Sequence, residues 1–171
     1  MGLTPDLMAL SKGLTGGFLP MGVTMASEAL FAGFVGSDPS LTLFHGHSFT
    51  ANPLGCAAAL ASLDLLEDQP ARYRSMEERH RPLLRELATD PRVRKPRLLG
   101  TVAAFDLIPP NSQAPEGYLN PIGRQLQRRL LAAGVFLRPL GQAVYLLPPL
   151  SISDAELEHC YASLASAMRE L

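Results

Sequence analysis

Apolar positions along this chain fall into short runs near the start and helical stripes further on. Residues 5–11, PDLMALS, predict a short buried strand opened by a proline. The following Lys12-Gly13-Leu14-Thr15-Gly16-Gly17 is too rich in glycine to extend it, so Lys12 stands where a strand ends and a flexible loop begins. A second strand is expected over residues 20–27, PMGVTMAS. Asn52 then supplies an N-cap and Pro53 a first-turn proline for the helix LGCAAALASLDLLE. Small and apolar residues run almost all round that helix, which predicts burial and close packing.

At Asp68-Gln69-Pro70 the composition shifts toward Arg, Glu and Pro, marking a boundary between two lobes, 1–69 and 70–171. Tyr73, Met76, His80, Leu84 and Leu87 share one helix face, with Pro82 expected to kink or restart the helix and His80 expected as a residue of that face. Residues 98–107 read as one strand. Asn120-Pro121 opens a helix carrying Ile122, Leu126 and Leu130 that stops at Gly134. Val135–Leu137 and Ala143–Leu147 predict a strand pair around the turn Arg138-Pro139-Leu140-Gly141-Gln142. Ser153 and Glu156 form a capping box, Ile152 and Leu157 a staple, and Leu157, Tyr161, Leu164 and Met168 one apolar stripe on a final helix. Strands alternating with helices predict an α/β layered architecture.

Bulk properties narrow the function classes. With 171 residues and 47% hydrophobic content the chain can bury a core. Fifteen Lys plus Arg against sixteen Asp plus Glu leave a net charge of -1, and the basic residues are scattered, which argues against nucleic acid as a partner. Cys56 and Cys160 lack CxxC spacing and are expected as reduced thiols acting as small core residues, which suits a reducing compartment. No segment has eighteen uninterrupted apolar residues and the start has no signal-peptide pattern, so a soluble, cytoplasmic protein without membrane attachment is expected. Met1-Gly2 fails as a myristoylation motif because Asp6 stands where Ser or Thr is required.

Three places could carry chemistry. A lysine beside a glycine-rich loop is ordinarily a solvated side chain; one at a strand end can also form a Schiff base when its surroundings favour the free amine. The glycines follow Lys12 rather than precede it, so this is not a P-loop. His45-Gly46-His47-Ser48 lies ahead of the helix at Asn52, where backbone donors and the Ser48 hydroxyl suit a phosphate. An ordinary loop, or a His-x-His metal pair, are the competing readings, and no carboxylate stands at ligand spacing to favour a metal. Arg138, at a predicted hairpin mouth, is either surface charge or a planar fork for a substrate carboxylate.

Three segments, LSKGLTGGFLPMG, FHGHSFTANPLGCAAALASL and VFLRPLGQAVYLLPPLSIS, together resemble class III pyridoxal-phosphate-dependent aminotransferases. The resemblance implies an α/β chain of the fold type I transferases: the end of the large cofactor-binding domain at 1–69 and the small α+β C-terminal domain at 70–171. By the same resemblance Lys12 is the catalytic lysine that carries pyridoxal 5'-phosphate and meets the substrate. His47 and Ser48 would reach across a homodimer interface to the phosphate of the partner's cofactor, Gly46 would lie beside the substrate, and Arg138 would hold the substrate carboxylate. HGHS before an Asn-Pro helix and the arginine of LRPLG are similar to the biotin-pathway members, implying S-adenosylmethionine as amino donor and 8-amino-7-oxononanoate as acceptor. Ala51 departs from a glycine common before Asn-Pro, and Phe49 from a frequent tyrosine. The family's phosphate-binding Gly-Ser turn, ring-stacking aromatic and pyridinium-binding Asp lie in a long N-terminal region, whereas eleven residues precede Lys12, and Asp6 belongs to the strand leading to that lysine. The expectation is therefore part of a longer or split enzyme, or an inactive remnant, with no activity as an isolated piece.

Overall fold

Leu7–Leu10 (β1) and Val23–Ala26 (β2) pair as an antiparallel ladder, Leu7 opposite Ala26 and Leu10 opposite Val23. They belong to a computed structural model that describes residues 2–67, 70–108 and 115–171, leaving aside the side chains of residues 70 and 72–74. The chain divides into two compact units, Met1–Gln69 and Pro70–Leu171.

In the first unit a single 3-10 turn, Lys12–Thr15, joins β1 to the segment before β2. A short helix α1 (Glu28–Ala32), a 3-10 turn at Pro39–Leu41 and a long helix α2 (Pro53–Glu67) follow. Asn52 caps α2 as its sequence predicts, its Oδ1 accepting from Leu54 N at 3.1 Å. α2 packs against the Lys12 turn.

Burial in this unit differs from expectation. β1 is largely exposed, and of α2 only Gly55 and Ala59 are buried, while Leu54 is 70% and Leu60 64% exposed. A two-stranded ladder covers one layer at most, so the apolar faces of β1 and α2 have no second layer among the described residues.

The second unit has a conventional interior. Helix α3 (Pro70–Leu87) is followed by β3 (Val93–Leu99) and β4 (Val102–Leu107), then α4 (Ile122–Ala132), β5 (Ala143–Leu146) and α5 (Asp154–Arg169). The antiparallel sheet has the order β3-β4-β5; α3 packs on β3 and β4, and α5 packs on α3 and α4. Met76, Phe105, Leu107, Leu126, Leu130, Leu164 and Met168 are fully buried in one cluster. The α5 capping box is complete, and Ile152 and Leu157 join the same core. α4 ends as predicted: Gly134 at φ 77° lets Val135 N donate to Leu130 O at 2.8 Å and Gly134 N to Leu131 O at 3.1 Å.

Four details depart from the periodicity. The strand read over 98–107 is a hairpin, because Leu99 pairs with Val102 and leaves Gly100, at φ 56°, and Thr101 as the turn. Val135–Leu137 forms no strand; β5 pairs with β4, whose alternate residues Ala103, Phe105 and Leu107 are buried and offer the larger apolar surface. α3 continues through Pro82 without restarting, since Met76, His80, Leu84 and Leu87 on either side keep one buried face on the sheet. Cys56 and Cys160 are free but half-buried rather than core residues. The boundary residues Asp68 and Gln69, and the side chain of Tyr73, lie outside the described residues.

Candidate functional site

Lys12 does not open a flexible loop. It is the first residue of the 3-10 turn, held on both sides by backbone bonds: Leu14 N to Ser11 O at 2.9 Å and Gly17 N to Lys12 O at 2.9 Å. Gly16, left-handed at φ 61°, lets the chain reverse there. Thr15 completes the lock from inside. It is buried, its hydroxyl donates to Leu19 O at 2.6 Å, and the same oxygen accepts from Leu19 N at 3.4 Å. The Lys12 side chain is exposed and makes no hydrogen bond or ion pair among the described residues. A fixed backbone thus carries an exposed, unpaired lysine side chain.

Gly46 and His47 lead into a turn over 48–51 that precedes α2. His47 N donates to Thr50 Oγ1 at 3.4 Å, Phe49 N to His47 Nδ1 at 3.2 Å and Thr50 N to His47 O at 3.1 Å. Ser48 is exposed, and neither its N–H nor its hydroxyl has a partner among the described residues. The N-terminus of α2 offers less than its position promises, since Pro53 has no N–H and Asn52 takes that of Leu54. Donors for an anion therefore concentrate on Ser48. The His45 and His47 rings meet edge to face at 6.3 Å, and no cluster of three or more metal-ligating side chains occurs among the described residues.

Arg138 belongs to the second unit. It follows the Gly134 reversal and precedes a tight turn in which Leu140 N donates to Ala143 O at 2.8 Å and Ala143 N to Leu140 O at 3.1 Å. Its side chain is exposed and no acidic group pairs with it among the described residues, so its planar fork is available to a carboxylate. Lys12 and 46–48 share the first unit, where no hydrogen bond links them among the described residues, and Arg138 stands in the second.

Thr15 is not among the residues expected at the site, although a threonine three residues after the lysine, between glycines, is the signal for a side chain that ties a turn. Nor does the helical stripe through His80 reveal its partner. His80 is fully buried, with its Nδ1 2.8 Å from the Tyr161 hydroxyl, and Nε2 makes no hydrogen bond.

Residues 1–168 match the sequence profile of the family described as Aminotransferase class-III. The chain is 48% identical over 170 residues to the adenosylmethionine-8-amino-7-oxononanoate aminotransferase of Synechococcus elongatus, covering 99% of this chain and 39% of that protein. It is 39% identical over 165 residues to the Geobacter sulfurreducens enzyme of the same name, covering 92% of this chain and 36% of the relative. The crystal structure of the Methanocaldococcus jannaschii enzyme of that name superposes with a TM-score of 0.86 at 32% identity, covering 98% of this chain and 39% of that one. The match runs through both units and includes the lysine turn, the HGHS segment and the LRPLG loop. Its fold is accordingly that of part of a fold type I pyridoxal-phosphate-dependent transferase. With a family match over nearly its whole length and this structural equivalent, the chain belongs to the class III aminotransferases.

Proposed function

We propose that this chain supplies the lysine-bearing and carboxylate-binding portions of an enzyme that transfers an amino group from S-adenosylmethionine to 8-amino-7-oxononanoate, giving 7,8-diaminononanoate in biotin biosynthesis. The identity to relatives named for that reaction supports it, and the relatives are longer, this chain spanning 39% of the Synechococcus protein. We assign residues 1–69 to the large cofactor-binding domain and 70–171 to the small C-terminal domain. The half-buried free thiols suit a reducing compartment such as the cytoplasm, and no described helix is long and apolar enough to cross a membrane.

The residues present fit pyridoxal 5'-phosphate: an unpaired primary amine on a rigid turn, and a serine with two unengaged donors. When bound, that group supplies an electron sink for the carbon that bears the amine. Lys12 Nζ would hold it covalently between turnovers and, once displaced by the incoming amine, move the proton at the reacting carbon. Ser48 N–H and Oγ, with His47 beside them, would donate to the phosphate of the partner subunit's site in a homodimer, and Gly46 would leave room for substrate there. Arg138 would take the substrate carboxylate in a two-pronged, charge-assisted grip.

The observation that carries this reading is the solvent-facing Lys12 amine on a backbone locked by Thr15 and Gly16. Borohydride reduction of the full-length, cofactor-loaded protein carrying these residues should leave the cofactor on Lys12 in peptide maps. Label on Lys95 instead, or activity that survives Lys12→Ala, overturns the assignment.

A further inference from the structure

Gly123 stands in the first turn of α4, where a methyl group would lie 2.0 Å from the Gly141 carbonyl oxygen and 2.9 Å from Pro139 Cβ. Gly141 meets a second wall: at φ +61°, a Cβ on it would lie 2.1 Å from Gly117 O and 2.6 Å from Tyr118 Cα. Both positions are therefore restricted to glycine by backbone, which cannot swing aside as a side chain can. Gln142 closes the remaining side, its Oε1 accepting from Gly117 N at 3.0 Å and its own N–H donating to Gly117 O at 3.3 Å. The 117–118 segment is itself anchored. Asn120 is buried; its Nδ2 donates to Pro115 O at 2.8 Å and its Oδ1 accepts from Ile122 N at 2.9 Å.

The backbone just after Arg138 is thus wedged between the first turn of α4 and residues 117–118. Arg138 itself has an exposed side chain whose reach depends on where that backbone stands. A two-pronged grip on a carboxylate tolerates small errors only, and misplacement by about 1 Å costs on the order of a hundredfold in rate.

We propose that Gly123, Gly141 and Gln142 are positioning residues for Arg138, a backbone clamp that sets where its guanidinium meets the substrate carboxylate. The proposal rests on the reading of Arg138 as the carboxylate-binding group. The clamp works through close approach and two hydrogen bonds, and none of its members touches the substrate.

The test uses the full-length, cofactor-loaded protein carrying these residues. Its readouts are KM and kcat for 8-amino-7-oxononanoate and, independent of turnover, the calorimetric Kd of nonanoate, an unreactive carboxylate. Arg138→Ala should raise Kd about tenfold or more. Gln142→Ala, which removes the acceptor for Gly117 N without a steric insult, should raise KM and Kd severalfold with kcat and cofactor affinity held. Gln142→Glu, which keeps an acceptor, should restore both. Gly123→Ala should exceed Gln142→Ala; if it fails to fold, the Gln142 pair decides. In the Arg138→Ala background Gln142→Ala should add nothing, because its effect passes through the arginine. A full additional effect there, or unchanged Kd and KM in Gln142→Ala, overturns the clamp and leaves the Arg138 reading standing. Unchanged Kd in Arg138→Ala overturns that reading and the clamp with it.

Discussion

Ala51 is the residue at which backbone and side chain disagree. It sits between the Ser48–Thr50 turn and the Asn52 cap with φ 54°, in the left-handed region. An L-residue with a Cβ pays roughly 1–2 kcal/mol there, while glycine's greater freedom in the unfolded chain returns roughly 0.4–1 kcal/mol of that. Ala51→Gly should therefore stabilise the fold by about 0.5–1 kcal/mol, read as a higher thermal midpoint; a lower midpoint would contradict the strain. Glycine, the residue that the family resemblance leads one to expect here, is the one this positive φ favours. Lys95 shares the left-handed geometry at φ 49°, within the irregular β3–β4 register between Arg94 and Arg97. There Asp106 draws both cations in, Arg97 Nη2 at 2.9 Å and Lys95 Nζ at 3.6 Å.

At the scale of elements, the contact between α3 and α5 carries the unit's one fully buried histidine. Arg79 ties the two elements at the surface, through Asp154 and through Ile152 O at 2.8 Å, while His80 and Tyr161 meet inside. Burial holds the imidazole pKa below its ordinary value of 6.5, the positive charge of Arg79 pushes the same way, and the Thr101 backbone, close by but outside hydrogen-bonding geometry, pulls weakly back. Burial also raises the Tyr161 phenol, so the hydroxyl stays protonated. Well above pH 6.5 His80 is neutral in folded and unfolded chains alike and contributes no pH dependence. As pH falls through that value the unfolded chain binds a proton that the folded unit resists, so stability drops until the lower folded pKa is reached. Thermal midpoints measured from pH 7.5 downward to about 5 should fall, and His80→Gln should flatten this component. An unchanged slope in the variant would show that other groups set it.

For the molecule as a whole, the two units differ in how far they satisfy their own apolar residues. The second unit gathers its core into one cluster, whereas Ala59 is the sole buried apolar residue of the first unit among those described. Phe44, Phe49 and Leu54 face solvent in that unit, which also holds Lys12 and Ser48. The chain spans 39% of the Synechococcus relative, so the surfaces and groups that complete such a site can be sought in the remaining region. Assayed by itself with pyridoxal phosphate, donor and keto acid, the 171-residue chain should give no product and should bind a hydrophobic dye. Supplying the region of the relatives that it does not span should produce turnover and reduce dye binding. Turnover by the 171 residues alone would contradict this.

Local features are the ones legible in the amino-acid order. Asn52 and Asn120 at helix starts, Gly134 at a helix end, the Ser153–Glu156 box and the apolar stripe of α5 all follow from interactions within a few residues, and each stands where its chemistry predicts. Family resemblance proposed roles for Lys12, Gly46, His47, Ser48 and Arg138, and pointed to the class III family that the sequence match shows. Tertiary structure decided what depends on distant partners. Apolar periodicity in β1 and α2 says that a face seeks cover, but whether cover exists depends on elements far along a chain. Strand identity at Val135–Leu137 was lost because β4 offered β5 the better partner. The Thr15 lock, the His80–Tyr161 pair and the glycine wedge behind Arg138 join residues through space, at separations that no hydrophobic period encodes.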